Sequence, residues 1–393
     1  MKKFLALTLA LVMSLSLVAC GDKKTDDTKT DAPDQTEQPA ENEGAYKVAM
    51  ITDYGDITDQ SFNQTTYEAC KEFAEANGVE FSYFKPAGDN TADRVAMIEK
   101  AVDEGYNVIV MPGYAFGEAI VKTTPEFPDV KFIALDVSAG DLGEGFKAPA
   151  NLYCAVYQEE LCGYMAGYAA VKLGYKNLGF LGGMAVPAVV RYGYGFVQGV
   201  DAAAAALGLT DVKLNYVYGG DFKGDADITA VMDTWYQRDG IEVVFACGGG
   251  IYTSAVDAAK KVGGKVIGVD VDQAGVIAKY AGVEGMTVTS AMKGLYPTTY
   301  HTLDDVINNG NWATYSSQIA TLGLVSGDDP ELNYVQIPMG EGTQWSDSFT
   351  QDDYKAMVKD MFDGKITVSN DVSKTPSDFA TVIAVEDQGA IKG

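Results

Sequence analysis

The sequence predicts an α/β protein built from two doubly wound lobes with a ligand cleft between them. Short apolar runs bounded by turn residues alternate with helix-length segments, which is the pattern of a parallel sheet with crossover helices. The 393 residues are about twice the usual length of one domain. Because the strand and helix pattern starts again near residue 154, we expect a cleft at the carboxyl ends of facing strands.

The first lobe is predicted over residues 46–153, together with a later segment at about 293–312. Its strands are the short apolar runs Tyr46–Thr52, Glu80–Phe84, Val108–Met111 and Lys131–Leu135. Its helices are Gln64–Asn77 and Thr91–Glu104, and the second is expected to be capped by Asn90 or Thr91.

The second lobe is predicted over residues 154–292, together with a segment at about 313–393. Its helices are Glu159–Leu173, Arg191–Leu207, Ala226–Arg238 and Thr253–Val262. Its strands are Asn177–Leu181, Lys213–Val217, Val243–Ala246 and Lys265–Val269. The second lobe therefore repeats the plan of the first.

The amino terminus has the layout of a secretory signal peptide over residues 1–19. Lys2 and Lys3 precede an apolar run that is too short to span a bilayer comfortably. The run ends in Leu-Val-Ala-Cys-Gly, which resembles a bacterial lipobox with Cys20 as the lipidated residue. Two or more acyl chains suffice for stable anchoring. The alternative is an ordinary signal peptide in which Cys20 is accidental.

Residues 20–45 are predicted to be a disordered tether that follows the lipidated cysteine. From Asp22 onward this segment is polar and has no aromatic or branched aliphatic residue, so it cannot offset the entropy of ordering. The anchored protein would then lie on the extracytoplasmic face of the cell membrane.

The charge balance argues against nucleic acid as a partner. The chain has 29 basic and 55 acidic residues, a formal net charge of -26 and a pI near 4.3. Such a surface repels phosphate backbones. His301 is the only histidine, so a His-rich metal site is excluded and a hydrolytic triad has one candidate base. We therefore expect no metal and no cofactor. Beyond Cys20, the cysteines at 70, 154, 162 and 247 have no CxxC or zinc-like spacing. Although their number is even, each lies in an apolar setting where a buried thiol behaves as a small hydrophobic group, so we expect free thiols.

Carboxylates and glycines follow the predicted strands. The carboxylates are Asp53, Asp136, Asp270 and Asp272, and the glycines include the runs Gly182–Gly183 and Gly248–Gly250. A single aspartate in such a place is more often a helix cap. Four together suit a polyhydroxylated neutral ligand, because carboxylates accept hydrogen bonds and glycine lets backbone amides approach a ligand.

The segment from Asp53 to Gln64 contains the most informative residues. Phe62 precedes a helix, where it is either a core residue or a stacking surface for a planar ring. The aspartates at 53, 56 and 59 are also compatible with a calcium loop, although their spacing differs from that of an EF-hand.

Four ordered motifs resemble the basic membrane protein lipoproteins, a family that includes purine nucleoside receptors of ABC importers. They begin at Asp59 (Asp-x-Ser-Phe-Asn-Gln), Gly179 (Gly-Phe-Leu-Gly-Gly-Met, with Pro187, Arg191, Gly195 and Gly199), Val266 (through Asp270 to Gln273) and Ser290 (Ser-x-x-Lys). The resemblance covers about Tyr46–Thr299. It implies a type I periplasmic-binding-protein fold, with two lobes joined by a hinge around a central cleft.

The resemblance also implies a set of ligand-binding residues. Asp53 and Asn63 would hydrogen-bond the ligand, Phe62 would stack on the base, and Asp270 with Lys293 would bind ribose hydroxyls. An ordinary solvated side chain is the alternative for Lys293. The expected site is completed by Tyr114, Asp136, Gly249 and Tyr252.

The expected function is that of a lipid-anchored, monomeric solute-binding protein. It would capture a nucleoside, with a purine base favoured, and deliver it to an ABC import permease without catalysing a reaction. Two alternatives stay open at this point: a sugar-binding receptor or sensor of the same fold, and a calcium-dependent nucleoside hydrolase that uses the aspartate-rich loop.

Overall fold

A computed structural model describes residues 45–392. The predicted signal peptide, Cys20 and the tether up to residue 44 lie outside the described residues. Within 45–392, no helix combines the length and the apolar composition needed to cross a membrane.

The described chain forms thirteen strands and eleven α-helices. The strands are β1 (Lys47–Ile51), β2 (Glu80–Phe84), β3 (Val108–Pro112), β4 (Lys131–Leu135), β5 (Leu152–Tyr157), β6 (Asn177–Gly182), β7 (Lys213–Tyr218), β8 (Val243–Cys247), β9 (Lys265–Asp270), β10 (Thr287–Lys293), β11 (Gln318–Leu322), β12 (Val335–Gln336) and β13 (Ala384–Ala390). The helices are α1 (Phe62–Asn77), α2 (Thr91–Asp103), α3 (Gly117–Thr123), α4 (Glu159–Lys172), α5 (Pro187–Leu207), α6 (Ala226–Gln237), α7 (Tyr252–Ala259), α8 (Ala274–Ala281), α9 (Leu295–Ile307), α10 (Trp312–Tyr315) and α11 (Gln351–Phe362).

The strands form two sheets with the same central order. The first sheet has the order β11-β5-β4-β3-β1-β2, and the second has the order β12-β10-β9-β8-β6-β7-β13. All neighbouring strands are parallel except β12, which runs antiparallel to β10. Five strands of each sheet correspond in order: β5-β4-β3-β1-β2 in the first sheet and β10-β9-β8-β6-β7 in the second. The end of β4 is therefore equivalent to the end of β9. We call the parts built on these sheets the first and second lobes.

Alternating side chains place helices on both faces of the first sheet. Val48 and Met50 of β1 belong to the same apolar cluster as Phe73 of α1. Ala49 and Ile51 belong to a second cluster that contains Ile98 of α2. Because successive strand residues point to opposite faces, a fully apolar strand has to be covered on both sides. This is the physical basis of the doubly wound lobe.

Every helix and strand predicted from the sequence is present, with end points that differ by at most four residues. The prediction missed β5, α3 and α8, and it assigned no element after β9. Sheet membership also departs from the expected lobe limits. Residues 154–157 belong to β5 of the first sheet, and β11 joins that sheet from within the 313–393 segment. These strands pair with distant partners, which sequence periodicity does not reveal.

Close packing of α4 against α5 positions part of the cleft. A side chain at Gly195 would overlap the Glu160 carbonyl, and one at Gly199 would overlap the Tyr164 carbonyl. Glycine at these two positions therefore lets the helix backbones touch. Because α4 and α5 are this close, Glu159 and Arg191 meet at the edge of the cleft, where Arg191 Nε donates to Glu159 Oε2 at 2.7 Å.

Candidate ligand-binding site

A cavity of about 690 Å³ lies where the strands of both lobes end. Its volume is within the usual range for small-molecule sites. Eight of the nine predicted ligand-binding residues line it: Asp53, Phe62, Asn63, Tyr114, Asp136, Gly249, Asp270 and Lys293. These eight side chains therefore converge on one cavity.

Tyr252 is the exception, because it does not line the cavity. It is the first residue of α7, and its side chain is buried in the second lobe. Its ring packs edge-on against Tyr280, with the ring centres 5.9 Å apart. Asp272 also lies away from the cavity lining, and its Oδ1 accepts a hydrogen bond from Ala274 N at the start of α8.

Lys293 is the centre of a buried cluster of charges. Its Nζ forms an ion pair with Asp136 of the first lobe. The same atom lies 3.7 Å from Asp270 Oδ1 and 3.5 Å from Glu159 Oε1. Lys293 is 3% exposed in its side chain, which excludes the alternative of a solvated surface lysine. With Arg191 bound to Glu159, the cluster contains two cations and three carboxylates.

The buried cluster shifts the pKa values of its members. Burial alone would lower the pKa of Lys293, but the attraction of Asp136, Asp270 and Glu159 outweighs it and raises the pKa above the usual value. Burial raises the pKa of Asp270 and of Glu159, while Lys293 opposes both shifts. Burial also raises the pKa of the neighbouring Glu160 to about 7.

Asp136 and Asp270 occupy equivalent places in the two lobes, at the ends of β4 and β9. Their φ angles are 58° and 66°. Few non-glycine residues adopt this left-handed conformation, although aspartate does so more readily than most. In both lobes the strand therefore ends in a turned aspartate whose carboxylate faces Lys293.

Phe62 faces the charged cluster from the start of α1. Its ring centre lies 4.8 Å from Lys293 Nζ, within the range of a cation–π contact. The ring is half-buried and lines the cavity, so Phe62 is a cavity residue as well as a helix residue.

Asp59 positions the first turn of α1. Its carboxylate accepts hydrogen bonds from the backbone amides of Ser61, Asn63 and Gln64 at 2.9–3.1 Å. It thus satisfies amides that lack partners within the helix. It also accepts from Asn63 Nδ2 at 3.2 Å, whereas the buried Asn63 Oδ1 has no hydrogen-bond partner within the protein. Asn63 lines the cavity and keeps one acceptor oxygen that no protein group uses.

Asp53 is fixed by its own loop. Its Oδ1 accepts hydrogen bonds from Tyr54 N and Gly55 N, both at 2.6 Å. Burial raises the pKa of Asp53 to about 6, although those two backbone hydrogen bonds oppose the shift. A side chain at Gly113 would lie 2.7 Å from Asp53 Oδ2, so the glycine after β3 makes room for this carboxylate.

Phe222 is a cavity residue that the sequence argument missed. It follows β7 in a loop, lines the cavity, and stacks on Tyr54 of the first lobe with 6.3 Å between ring centres. Side chains at Gly183 or Gly248 would collide with its ring. These glycines were expected to admit a ligand. In the structure both make room for the Phe222 ring, and Gly248 also lines the cavity.

Tyr192 and Arg191 also line the cavity, and Glu159 belongs to the buried charged cluster beside it. Tyr192 OH donates to Asp270 Oδ1 at 3.3 Å. Arg191 belongs to the motif that begins at Gly179, and this motif was the feature of the sequence that could have identified it. Glu159 had no such signal, because acidic residues are common in the first turn of a helix.

The two lobes contact each other beside the cavity. Ser61 Oγ of α1's amino-terminal turn donates to Asp270 Oδ2 at 2.6 Å. Gln273 Nε2 donates to the Gln60 carbonyl at 3.1 Å. Asp270 therefore connects the lobes as well as lining the cavity.

The aspartate-rich loop does not assemble a metal site among the described residues. No three His, Cys, Asp or Glu side chains within 45–392 are arranged to bind a metal ion. Asp56 instead pairs with Lys85 at 2.8 Å, while Asp53 and Asp59 bond to separate backbone amides. The cysteines at 70, 154, 162 and 247 are buried free thiols, as expected.

Two matching α/β lobes around one polar and aromatic cavity define a bilobed substrate-binding protein. The model of the Bmp family, described as PnrA-like substrate-binding proteins of ABC transporters, matches residues 46–328. The chain belongs to this family, which confirms the resemblance seen in the sequence.

Relatives and solved structures agree with that assignment. The ABC transporter nucleoside-binding protein BmpA of Lactococcus lactis is 25% identical over 94% of this chain and 99% of its own length. An uncharacterized lipoprotein of Pyrococcus furiosus is 25% identical over 72% of this chain and 68% of its own length. A solute-binding protein of an ABC transporter from Aeropyrum pernix has a TM-score of 0.63 at 20% identity, covering 85% of this chain and 90% of that one. The structural likeness confirms the predicted type I-like solute-binding fold.

Proposed function

We propose that this protein captures a nucleoside, with a purine base favoured, and delivers it to an ABC import permease without catalysing a reaction. The observation that supports this most directly is the aromatic ring of Phe62 beside the polar cluster around Lys293. A nucleoside has the matching parts, since its base is planar and its ribose has hydroxyl groups. The Lactococcus relative is named as a nucleoside-binding protein.

Asp53 and Asn63 are the proposed partners of the base. Asn63 Oδ1 is buried without a partner, and Asp53 uses only Oδ1 for the backbone amides of its loop. Both side chains line the cavity, and each keeps an oxygen that no backbone amide of its loop or helix uses. A base with ring or exocyclic N–H groups supplies the donors. Phe62 and Phe222 provide aromatic surface from different lobes, and stacking contributes about 1–3 kcal/mol per base in comparable sites.

Asp136, Asp270 and Lys293 are the proposed partners of the ribose. The buried Oδ1 of Asp136 has no hydrogen-bond partner in the protein, while its Oδ2 is paired with Lys293. A ribose hydroxyl donating to Asp136 Oδ1 would satisfy that atom. Leaving a buried acceptor unsatisfied costs about 1–3 kcal/mol, so the site favours a ligand with hydroxyl groups. Tyr114 and Gly249 complete the proposed ligand-binding set.

We also propose that Cys20 is lipidated and anchors the protein at the extracytoplasmic face of the cell membrane. The lipobox-like sequence around Cys20 supports this, and the Pyrococcus relative is named as a lipoprotein. Metabolic labelling with a radiolabelled fatty acid should tag the wild type and leave Cys20→Ala unlabelled. Equal labelling of the two would refute the anchor.

Nucleoside hydrolysis is the main rival from another class of protein. The three loop carboxylates that would bind calcium are each engaged with different protein groups. His301 is exposed on α9 and does not line the cavity. These contacts favour binding over hydrolysis. The name of the Lactococcus relative, a nucleoside-binding protein, favours a nucleoside over a free sugar.

Calorimetry with adenosine, guanosine, uridine and ribose tests the proposal. We expect heat of binding with the nucleosides, strongest with a purine, and none with ribose at the same concentration. Chromatography of the mixtures, with and without calcium, should recover intact nucleoside. Release of free base would establish the hydrolase instead, and heat with ribose alone would favour the sugar receptor.

A further inference from the structure

The strand β13 runs beside a loop that forms one wall of the cavity. β13 pairs in parallel with β7 at the edge of the second sheet, and Ala390 lies opposite Tyr218. Ile391 N then donates to Tyr218 O at 2.8 Å. The chain continues from β7 into residues 219–225, which we call the cavity loop. Four of its residues, from Gly220 to Lys223, line the cavity.

Lys392 contacts both ends of the cavity loop. A side chain at Gly220 would lie 2.8 Å from Lys392 Cβ and 3.0 Å from its carbonyl oxygen, so the Lys392 backbone lies directly against the loop. Lys392 Nζ forms an ion pair with Asp225 at the other end. Asp225 also caps α6 by accepting from Asp227 N and Ile228 N at 2.9 and 3.0 Å. Lys392 thus ties the loop to the strand on one side and to the α6 cap on the other.

The cavity loop determines where Phe222 lies. The ring fills the space above Gly183 and Gly248, where an added side chain would collide with it. It also stacks on Tyr54 across the two lobes. A shift of the loop backbone would therefore move an aromatic wall of the cavity.

β13 is itself attached firmly to the second lobe. Asp201 of α5 accepts hydrogen bonds from the amides of Thr381, Val382 and Ile383 at 2.8–3.2 Å. Trp235 Nε1 of α6 donates to Gln388 Oε1 at 3.0 Å. The strand is therefore attached before, along and after its length, and it can act as a fixed support.

We infer that β13 and Lys392 position the cavity loop, and with it Phe222, for ligand binding. Lys392 does not line the cavity, so it is a positioning residue. This support lies beyond residues 46–328, the part matched by the family model. The ligand-binding test of this inference rests on the proposed nucleoside function, whereas a test of loop motion does not.

Three variants test the inference. Lys392→Ala removes the ion pair, and a chain ending at Ile383 removes the strand. Lys261→Ala is the matched control, because Lys261 pairs with Asp233 of α6 at 2.7 Å with similar exposure but lies away from the cavity loop. Adenosine affinity is measured by calorimetry, and amide hydrogen exchange is measured over residues 219–225.

Lys392→Ala should raise the Kd for adenosine by about two- to fivefold, the range that a partly exposed ion pair supports. The shortened chain should raise it by about tenfold or more. Both should speed amide exchange in the cavity loop, and Lys261→Ala should change neither quantity. Unchanged exchange in Lys392→Ala and in the shortened chain would overturn the inference. If the shortened chain does not fold, Lys392→Ala decides by the same two measurements.

A double-mutant cycle with Phe222→Ala separates positioning from a general loss of stability. Once the ring is removed, shortening the chain should cost little further adenosine affinity. An equal loss with and without the ring would refute action through Phe222. If the wild type binds no adenosine, the proposed nucleoside function fails, while the exchange measurement still decides whether β13 positions the loop.

Discussion

Replacing Lys293 with methionine removes the cation shared by three buried carboxylates. The Lys293 side chain is 3% exposed, and those of Asp136, Glu159 and Asp270 are at most 10% exposed. Methionine preserves most of the length and the apolar stem but removes the charge. Arg191 still neutralises Glu159, whereas Asp136 and Asp270 lose their cation. Breaking a buried ion pair from one side costs about 3–5 kcal/mol, so we expect the free energy of unfolding to fall by that amount at pH 7.

The cost should depend on pH in a defined direction. The pKa of Lys293 is raised in the folded protein. The stability that protonation of Lys293 contributes is therefore fully present below its pKa in the unfolded chain, about 10.4, and it does not change between pH 5 and 8. Burial already raises the pKa of Asp270 and Glu159, and removal of Lys293 raises both further. As pH falls, the folded variant therefore binds protons that the unfolded chain does not, and its deficit relative to wild type shrinks.

Urea unfolding followed by fluorescence at pH 8, 7 and 5 measures this deficit. Lys261→Met is the control, because it breaks an exposed pair and should cost at most about 1 kcal/mol at every pH. The reasoning would be refuted if Lys293→Met cost less than about 1 kcal/mol at pH 7. A large deficit that stayed constant from pH 8 to pH 5 would equally contradict it.

Three further substitutions separate the roles of individual side chains. Phe62→Ala should weaken adenosine and uridine alike by about 1–3 kcal/mol in calorimetry, because every base has a π-face; an effect on one base alone would contradict stacking. Asp270→Asn should cost about 1.5–3 kcal/mol of nucleoside affinity and little for a 2′,3′-dideoxynucleoside, whereas equal losses would make the carboxylate a structural group. Burial alone would raise the pKa of Asp201. The hydrogen bonds that its carboxylate accepts from Thr381, Val382 and Ile383 outweigh burial, so the pKa is lowered. Asp201→Asn should therefore lower the free energy of unfolding by about 1–3 kcal/mol at pH 7, and this difference should shrink as pH falls below the unfolded carboxyl value of about 3.9 and the folded carboxyl of the wild type is protonated. The same urea titrations measure it, and a difference that persisted at low pH would refute the charge argument.

The regular part of the fold was predictable because its signals are local. Strands such as Glu80–Phe84 and Lys131–Leu135 are short apolar runs between polar turns, and their limits match the prediction. The elements after β9 were missed for a physical reason. β11 is partly exposed, and its place next to β5 depends on a partner more than 150 residues away. β13 is polar and exposed along most of its length, so its sequence lacks the apolar pattern of a buried strand.

The residues of the candidate site that were predictable from the sequence are mainly those that follow strands. Asp53, Asp136 and Asp270 were found because parallel strands place their carboxyl ends at one edge. Phe222 lies in a loop, so neither hydrophobic periodicity nor a position at a strand end identifies it in the sequence. Its place in the cavity follows from its packing against Gly183 and Gly248, which only the structure shows. The packing of Phe222 against these glycines was not predicted for the same reason, since a sequence does not distinguish space for a ligand from space for a side chain.

Side chains of the candidate site also join the two lobes. Asp270 bonds Ser61 of the opposite lobe, and Lys293 pairs with Asp136 of the opposite lobe. These are the groups proposed to bind the ribose. A ribose that enters the cavity would add to or replace contacts that already join the lobes, so each new hydrogen bond contributes only its difference from the contact that it replaces. A ribose therefore favours one lobe arrangement only by the difference in its affinity for the two arrangements.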